Sequence, residues 1–92
     1  MNIQQSPVFR KVYKKLHSNQ LEGVNEAIRY ILSEPYSGED KKGDLAGVRV
    51  YKFSVQNKQF LLAYEFDKDD VFLLALGVHE NFYRDLKKYR YT

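Results

Sequence analysis

The chain of 92 residues has no cysteine, no tryptophan, two prolines and two histidines, His17 and His79. Without thiols there is neither a disulfide nor a cysteine-ligated metal. Two imidazoles are too few for a histidine-rich zinc site, so no metal and no other cofactor is expected. No apolar run is long enough to cross a bilayer, and the first residues lack the apolar core of a secretory signal. The expectation is a cytoplasmic protein with no membrane partner. There is no internal repeat and no low-complexity segment, and the length suits a single domain over residues 1–92.

Aromatic side chains are plentiful, with eight Tyr and six Phe. Hydrophobic residues make up 43% and charged residues 29%, the balance of a folded globular chain. The formal net charge is +3, and its distribution says more than its size. Arg10, Lys11, Lys14 and Lys15 crowd the first segment, and Arg84, Lys87, Lys88 and Arg90 the last, while most acids lie between. Basic ends suit a polyanion such as RNA or an acidic protein, and equally the solvated faces of helices.

Ser6-Pro7 predicts an N-cap and first helical position, and Phe9, Val12, Tyr13 and Leu16 follow at helical spacing. A second amphipathic helix carries Leu21, Val24, Ala27, Ile28, Ile31 and Leu32 and ends before Pro35. Residues 36–44 read as a polar connection. The period then changes to that of strands at 48–55, 60–66 and 70–76, joined by turns at 56–58 and 67–69. A short helix over 79–88 closes the chain with Phe82 and Leu86 as its apolar positions, and residues 2–5 are a weak candidate for an edge strand. The expected fold class is α+β in two layers, an N-terminal helical hairpin on a three- to four-stranded antiparallel sheet.

Chemically useful side chains are densest after Gly77, where His79, Glu80, Asn81, Tyr83 and Arg84 follow an apolar strand. An imidazole beside a phenol suits proton transfer. Along the strand at 48–55, Lys52 shares a side with Val48 and Val50, whereas Arg49 and Tyr51 point the other way. Arg49 suits a phosphate contact and Tyr51 base stacking, and with Asn81, Arg84 and Lys87 they form the expected RNA-binding set. Each has a plainer alternative as a solvated or packed side chain.

The order of elements, with Phe9-Arg-Lys, Gly43-Asp-Leu-Ala-Gly-Val-Arg-Val-Tyr-Lys-Phe53, Leu61-Leu-Ala-Tyr-Glu65 and Gly77-Val-His-Glu-Asn-Phe-Tyr-Arg-Asp-Leu86, resembles the RelE/ParE superfamily of bacterial type II toxins. The resemblance implies one of two activities. RelE-like members enter the ribosomal A site and cleave mRNA without a metal, whereas ParE-like members bind DNA gyrase and perform no chemistry. It also implies a cognate antitoxin, commonly DNA-binding, with the free toxin a monomer and larger assemblies forming with the antitoxin. Under the RelE-like expectation His79 is general acid or base, Tyr83 stacks on a base or assists proton transfer, and Lys52 contributes to catalysis; ribosome and mRNA are the partners. The chain departs from RelE at Ala46, Ser54 and Leu61, where RelE is basic. That leaves a site closer to the histidine-using, YafQ-like toxins, with gyrase binding or a plain RNA- or ribosome-binding module as alternatives.

Overall fold

Ser6 starts the helical layer. Its Oγ accepts a hydrogen bond from the Phe9 amide at 3.0 Å, satisfying a first-turn donor, and Pro7 follows at N1. The computed structural model describes residues 2–78, 82–84 and 86. Within them the chain runs through β1 (Asn2–Gln5), α1 (Pro7–Tyr13), α2 (Ser18–Ser33), β2 (Glu39–Asp40), β3 (Arg49–Val55), β4 (Lys58–Phe66) and β5 (Asp70–Gly77). Short 3-10 turns occupy Pro35–Ser37 and Gly43–Leu45. Residues 82–84 and 86 are helical. The rest of the helix expected over 79–88 lies outside the described residues.

The strands form one five-stranded sheet in the order β1-β5-β4-β3-β2. The β3–β4–β5 meander is antiparallel, as the short turns at 56–58 and 67–69 predict. The sheet is nonetheless mixed and larger than expected, because β1 pairs parallel to β5 from Asn2↔Asp70 to Gln5↔Leu73. All four β1 side chains are exposed, so no apolar alternation announces the strand, and backbone hydrogen bonds hold it. β2 adds a two-residue fifth strand in what reads from sequence as a loop.

The β3–β4 turn is a two-residue hairpin with Gln56 and Asn57 both at positive φ (50° and 67°). This geometry matches the twist of the paired strands. Asn19 Nδ2 donates to Gln56 Oε1 at 2.8 Å and ties the turn to the start of α2. Further along α2 the approach to β3 is so close that a Cβ on Gly23 would collide with Val55 Cγ2. Only glycine permits that spacing.

One core lies between the helices and the sheet, built on Phe9, Val24, Ile31, Phe60, Leu62, Tyr64, Val71, Leu73 and Leu76. Each fully buried side chain of this size contributes roughly 1.5–3 kcal/mol of transfer free energy. A second cluster lies on the opposite sheet face, with Leu45, Val48, Val50, Leu61, Ala63, Leu74 and Ala75 under Phe82 and Leu86. A β-bulge serves both. Ala63 pairs with Ala75 but Tyr64 with Leu73, which leaves Leu74 as the extra residue and puts Leu74 and Ala75 in the second cluster. Ser6 Oγ donates to the Leu74 carbonyl, so one hydroxyl caps α1 and satisfies the bulge.

Candidate functional site

β3 divides its side chains between the two faces, and that division decides which predicted residues can work together. Val50 opposes Ala63 and Lys52 opposes Leu61, both partners belonging to the second cluster. Lys52 is exposed on that face. Glu39 of β2 pairs with Val50 and therefore points the same way. Lys41 extends the pairing by one step, its amide donating to the Val48 carbonyl at 2.9 Å. By register, Lys41, Glu39 and Lys52 form a row along the outer edge of this face, the carboxylate between two ammonium groups.

Lys41 Nζ lies 3.0 Å from Glu39 Oε1 and 5.2 Å from the centroid of the Tyr83 ring. Its side chain is 19% exposed, against 60% for Glu39. Burial works against the Lys41 charge, but Glu39 and Tyr83 outweigh it and hold the ammonium pKa above the ordinary lysine value. The hydrogen bond from Lys41, then its charge, holds the Glu39 carboxylate below its ordinary value, with a further lowering from Lys52. Lys41 and Glu39 are thus both ionised at neutral pH. Tyr83 is half-buried and packs edge-on against Phe82, centroids 5.2 Å apart at 87°. This arrangement offers fixed positive charge for a phosphate, a carboxylate that can accept a proton, and a phenol that can stack or donate.

The structure therefore links Lys52 and Tyr83 through a pair, Glu39 and Lys41, that sequence reasoning passed over. The pair sits in a four-charge run, Glu39-Asp-Lys-Lys42, that reads as a solvated loop. Its only strand signal is the shared side of Glu39 and Lys41, too short to register as a period.

Arg49 and Tyr51 are not part of this group. Arg49 Nη1 donates to the Gly38 carbonyl at 2.8 Å and the Tyr36 carbonyl at 3.2 Å, and the guanidinium sits over the Tyr36 ring at 5.0 Å. Tyr64, fully buried, supports the same turn, its hydroxyl donating to the Pro35 carbonyl at 2.7 Å and accepting from the Gly38 amide at 2.9 Å. Tyr51 stacks between Tyr30 and Phe53 on the helix side, and burial, with Tyr30 and Tyr64 nearby, pushes its phenol above the ordinary value. Arg84 is exposed on the helical segment beside Tyr83. His79, Asn81 and Lys87 lie outside the described residues.

Two other surfaces are notable. Arg10, Lys11, Lys14 and Lys15 are all exposed, at α1 and just beyond it. A groove of about 350 Å³ runs between α1 and the ends of β4 and β5, lined by Val12, Leu16, Phe60, Leu76 and Phe82 together with Lys15 and Lys58. No helix is long and apolar enough to cross a membrane among the described residues.

Comparison with known proteins agrees with this architecture. The free state of a double arginine-to-alanine mutant of the E. coli toxin RelE superposes with a TM-score of 0.73 at 16% identity, covering 98% of this chain and 93% of that one. A chain of the intact E. coli RelBE toxin–antitoxin complex gives 0.68 at 20% identity, over 86% of this chain and 96% of that one. The isolated E. coli RelE toxin gives 0.67 at 21% identity, over 86% and 84%. At these identities the likeness establishes a shared fold. No curated protein sequence matches. The family described as ParE-like toxin of type II bacterial toxin-antitoxin systems matches residues 3–87. The chain belongs to that family, and is a toxin of the RelE/ParE superfamily.

Proposed function

We propose that this toxin is a metal-independent endoribonuclease that cuts mRNA on the ribosome and so inhibits translation in the cytoplasm. The observation that carries the proposal is the row of Lys41, Glu39 and Lys52 beside Tyr83 on the face of a RelE-like sheet opposite α1 and α2. Cleavage proceeds by attack of the ribose 2′-hydroxyl on the adjacent phosphorus. The bond to the 5′-oxygen breaks, a 2′,3′-cyclic phosphate forms, and the departing oxygen takes a proton. Such a reaction needs a proton acceptor, positive charge at the phosphate and a proton donor. Lys52 supplies the charge, His79 transfers the proton, and Tyr83 stacks on a base or assists the transfer. Asn81, Arg84 and Lys87 contact the RNA backbone. Arg49 is left to hold the Pro35–Gly38 turn.

The partner that silences the toxin is a cognate antitoxin with a DNA-binding part, since a RelE-fold chain is held by its antitoxin in the RelBE complex. The groove beside α1, apolar with lysines in its lining, suits an amphipathic segment carrying acids. The free toxin is a monomer and larger assemblies form with the antitoxin.

Induced expression in bacteria with primer extension on an abundant transcript tests the activity. Cuts inside translated codons that disappear in His79→Ala are the expected result. One alternative has specific support: the matching family is ParE-like, and β4 carries Leu61 where the RelE-like pattern is basic. Growth arrest without cuts, equal in wild type and His79→Ala, would overturn the nuclease reading in favour of a gyrase-type or other binding toxin.

A further inference from the structure

We infer that Lys41 is the positioning residue of this site: its ammonium, held by Glu39, fixes the Tyr83 phenol against the outer edge of the sheet, in line with Lys52. The catalytic consequence rests on the endonuclease proposal; the Lys41–Tyr83 link does not.

Among the described residues Lys41 is the one lysine that is not exposed. Lysine side chains ordinarily extend their charge into water, and covering one is unfavourable unless partners replace the lost solvation. Lys41 has two such partners on different parts of the chain, the Glu39 carboxylate at 3.0 Å and the Tyr83 ring at 5.2 Å. Its backbone is fixed to β3 through the Val48 carbonyl. The ammonium is therefore a fixed point of the sheet rather than a mobile side chain.

Tyr83 is anchored from below by apolar packing, edge-on against Phe82 and on the second cluster. Phe82 and Leu86, at 2% and 0% exposure, fasten its segment to the second cluster. They set where the backbone lies, and among the described residues the Lys41 ammonium lies over the half-buried Tyr83 ring, where it can set the ring's orientation. An ammonium over an aromatic face favours one ring pose and holds it more firmly as water is excluded.

The same contact sets the charge of the row. Lys41 neutralises Glu39, so Lys52 faces an incoming phosphate without a bare carboxylate beside it. Removing the Lys41 charge would both loosen the phenol and expose the phosphate to Glu39. A plain surface ion pair would do neither, and its loss would change little.

The test uses full-length toxin as Lys41→Met, which keeps the aliphatic stem, and Lys41→Arg, which keeps the charge. Ring resonances of Tyr83 are followed by NMR with ¹³C-labelled tyrosine, assigned with Tyr83→Phe, and cleavage is followed in single turnover on mRNA-programmed ribosomes. Lys41→Met is expected to move the Tyr83 resonances and lower the maximum rate about tenfold or more, with half-saturation changed less than about threefold. Lys41→Arg should restore both. Tyr83 resonances unmoved by Lys41→Met, or a maximum rate equal to wild type, would overturn the inference. Wild-type toxin that does not cut at all would sink the endonuclease proposal alone, because the ring resonances judge the Lys41–Tyr83 link by themselves.

Discussion

Arg49 and Lys52 lie three positions apart on one strand, and the two faces of the sheet give them opposite work. On the helix side Arg49 is surrounded by carbonyls and rings: the Tyr36 and Gly38 oxygens accept its hydrogen bonds, and Tyr36 and Phe66 lie 5.0 Å and 6.0 Å from its guanidinium. Its capacity to bind an external phosphate is used internally, to hold a turn that Tyr64 also holds. On the other face Lys52 is exposed and close enough to Glu39 to lower its pKa. The difference teaches that a cation on an apparent RNA-binding strand is available only where the backbone around it has no carbonyls left to satisfy.

Substitutions on the two faces should separate activity from stability. The largest effect is expected for Lys52→Met, a loss of cleavage of about a hundredfold, since one group placed for transition-state charge is worth that much. Thermal unfolding should stay within about 0.5 kcal/mol, the usual range for an exposed position. Loss of stability with retained cleavage would break the comparison.

Tyr64→Phe should do the reverse. It removes the acceptor for the Gly38 amide and the donor to the Pro35 carbonyl in a buried place. The expected cost is about 1–3 kcal/mol in urea unfolding, with cleavage per folded molecule unchanged. Arg49→Met should follow the same pattern at about 1–2 kcal/mol, because it leaves the Gly38 carbonyl short of a partner. A hundredfold loss of cleavage by stable Arg49→Met would return Arg49 to the RNA-binding set. Gly23→Ala sharpens the view of the helix side, since its methyl meets the Val55 side chain and one of the two must move, at about 1–3 kcal/mol.

The smallest effect concerns pH. Glu39 has a folded pKa lowered from 4.5, so its contribution to stability is present above the ordinary carboxylate value and is lost as pH falls through the lowered one. Lys41 has a folded pKa raised from 10.5, so its contribution is present below that value and is lost as pH rises through the raised one. Between about pH 5 and pH 10 the pair stays ionised and adds no slope to a stability profile. A cleavage profile that bends between pH 6 and 7 would then report another group, with His79 the candidate of suitable intrinsic pKa. A bend that survives His79→Ala would contradict that assignment.

The sequence by itself determined the local elements of this toxin. Ser6-Pro7 set the start of α1, the apolar stripe from Val24 to Ile31 set the buried side of α2, alternation set β3, and short apolar runs bounded by turn residues set β4 and β5. These features come from contacts within a few residues and leave a periodic trace. The alternation also placed Lys52 on the face opposite Arg49 and Tyr51. What only the tertiary structure decided lies in pairings between distant segments. β1 lies at residues 2–5, where the sequence offers an edge strand, but its parallel pairing with β5 rests on backbone groups, and β2 is two residues long, too short for side-chain periodicity to betray it. The bulge at Leu74 is satisfied by a hydroxyl 68 positions away. Arg49 was diverted to the Pro35–Gly38 turn by carbonyls that no local pattern announces. Lys41 and Glu39 became a candidate site only because strand pairing brought a charged loop to the edge of β3 and the C-terminal segment set Tyr83 over it. Side-chain chemistry is written residue by residue, but which side chains meet depends on chain crossings whose hydrogen bonds carry no sequence signature.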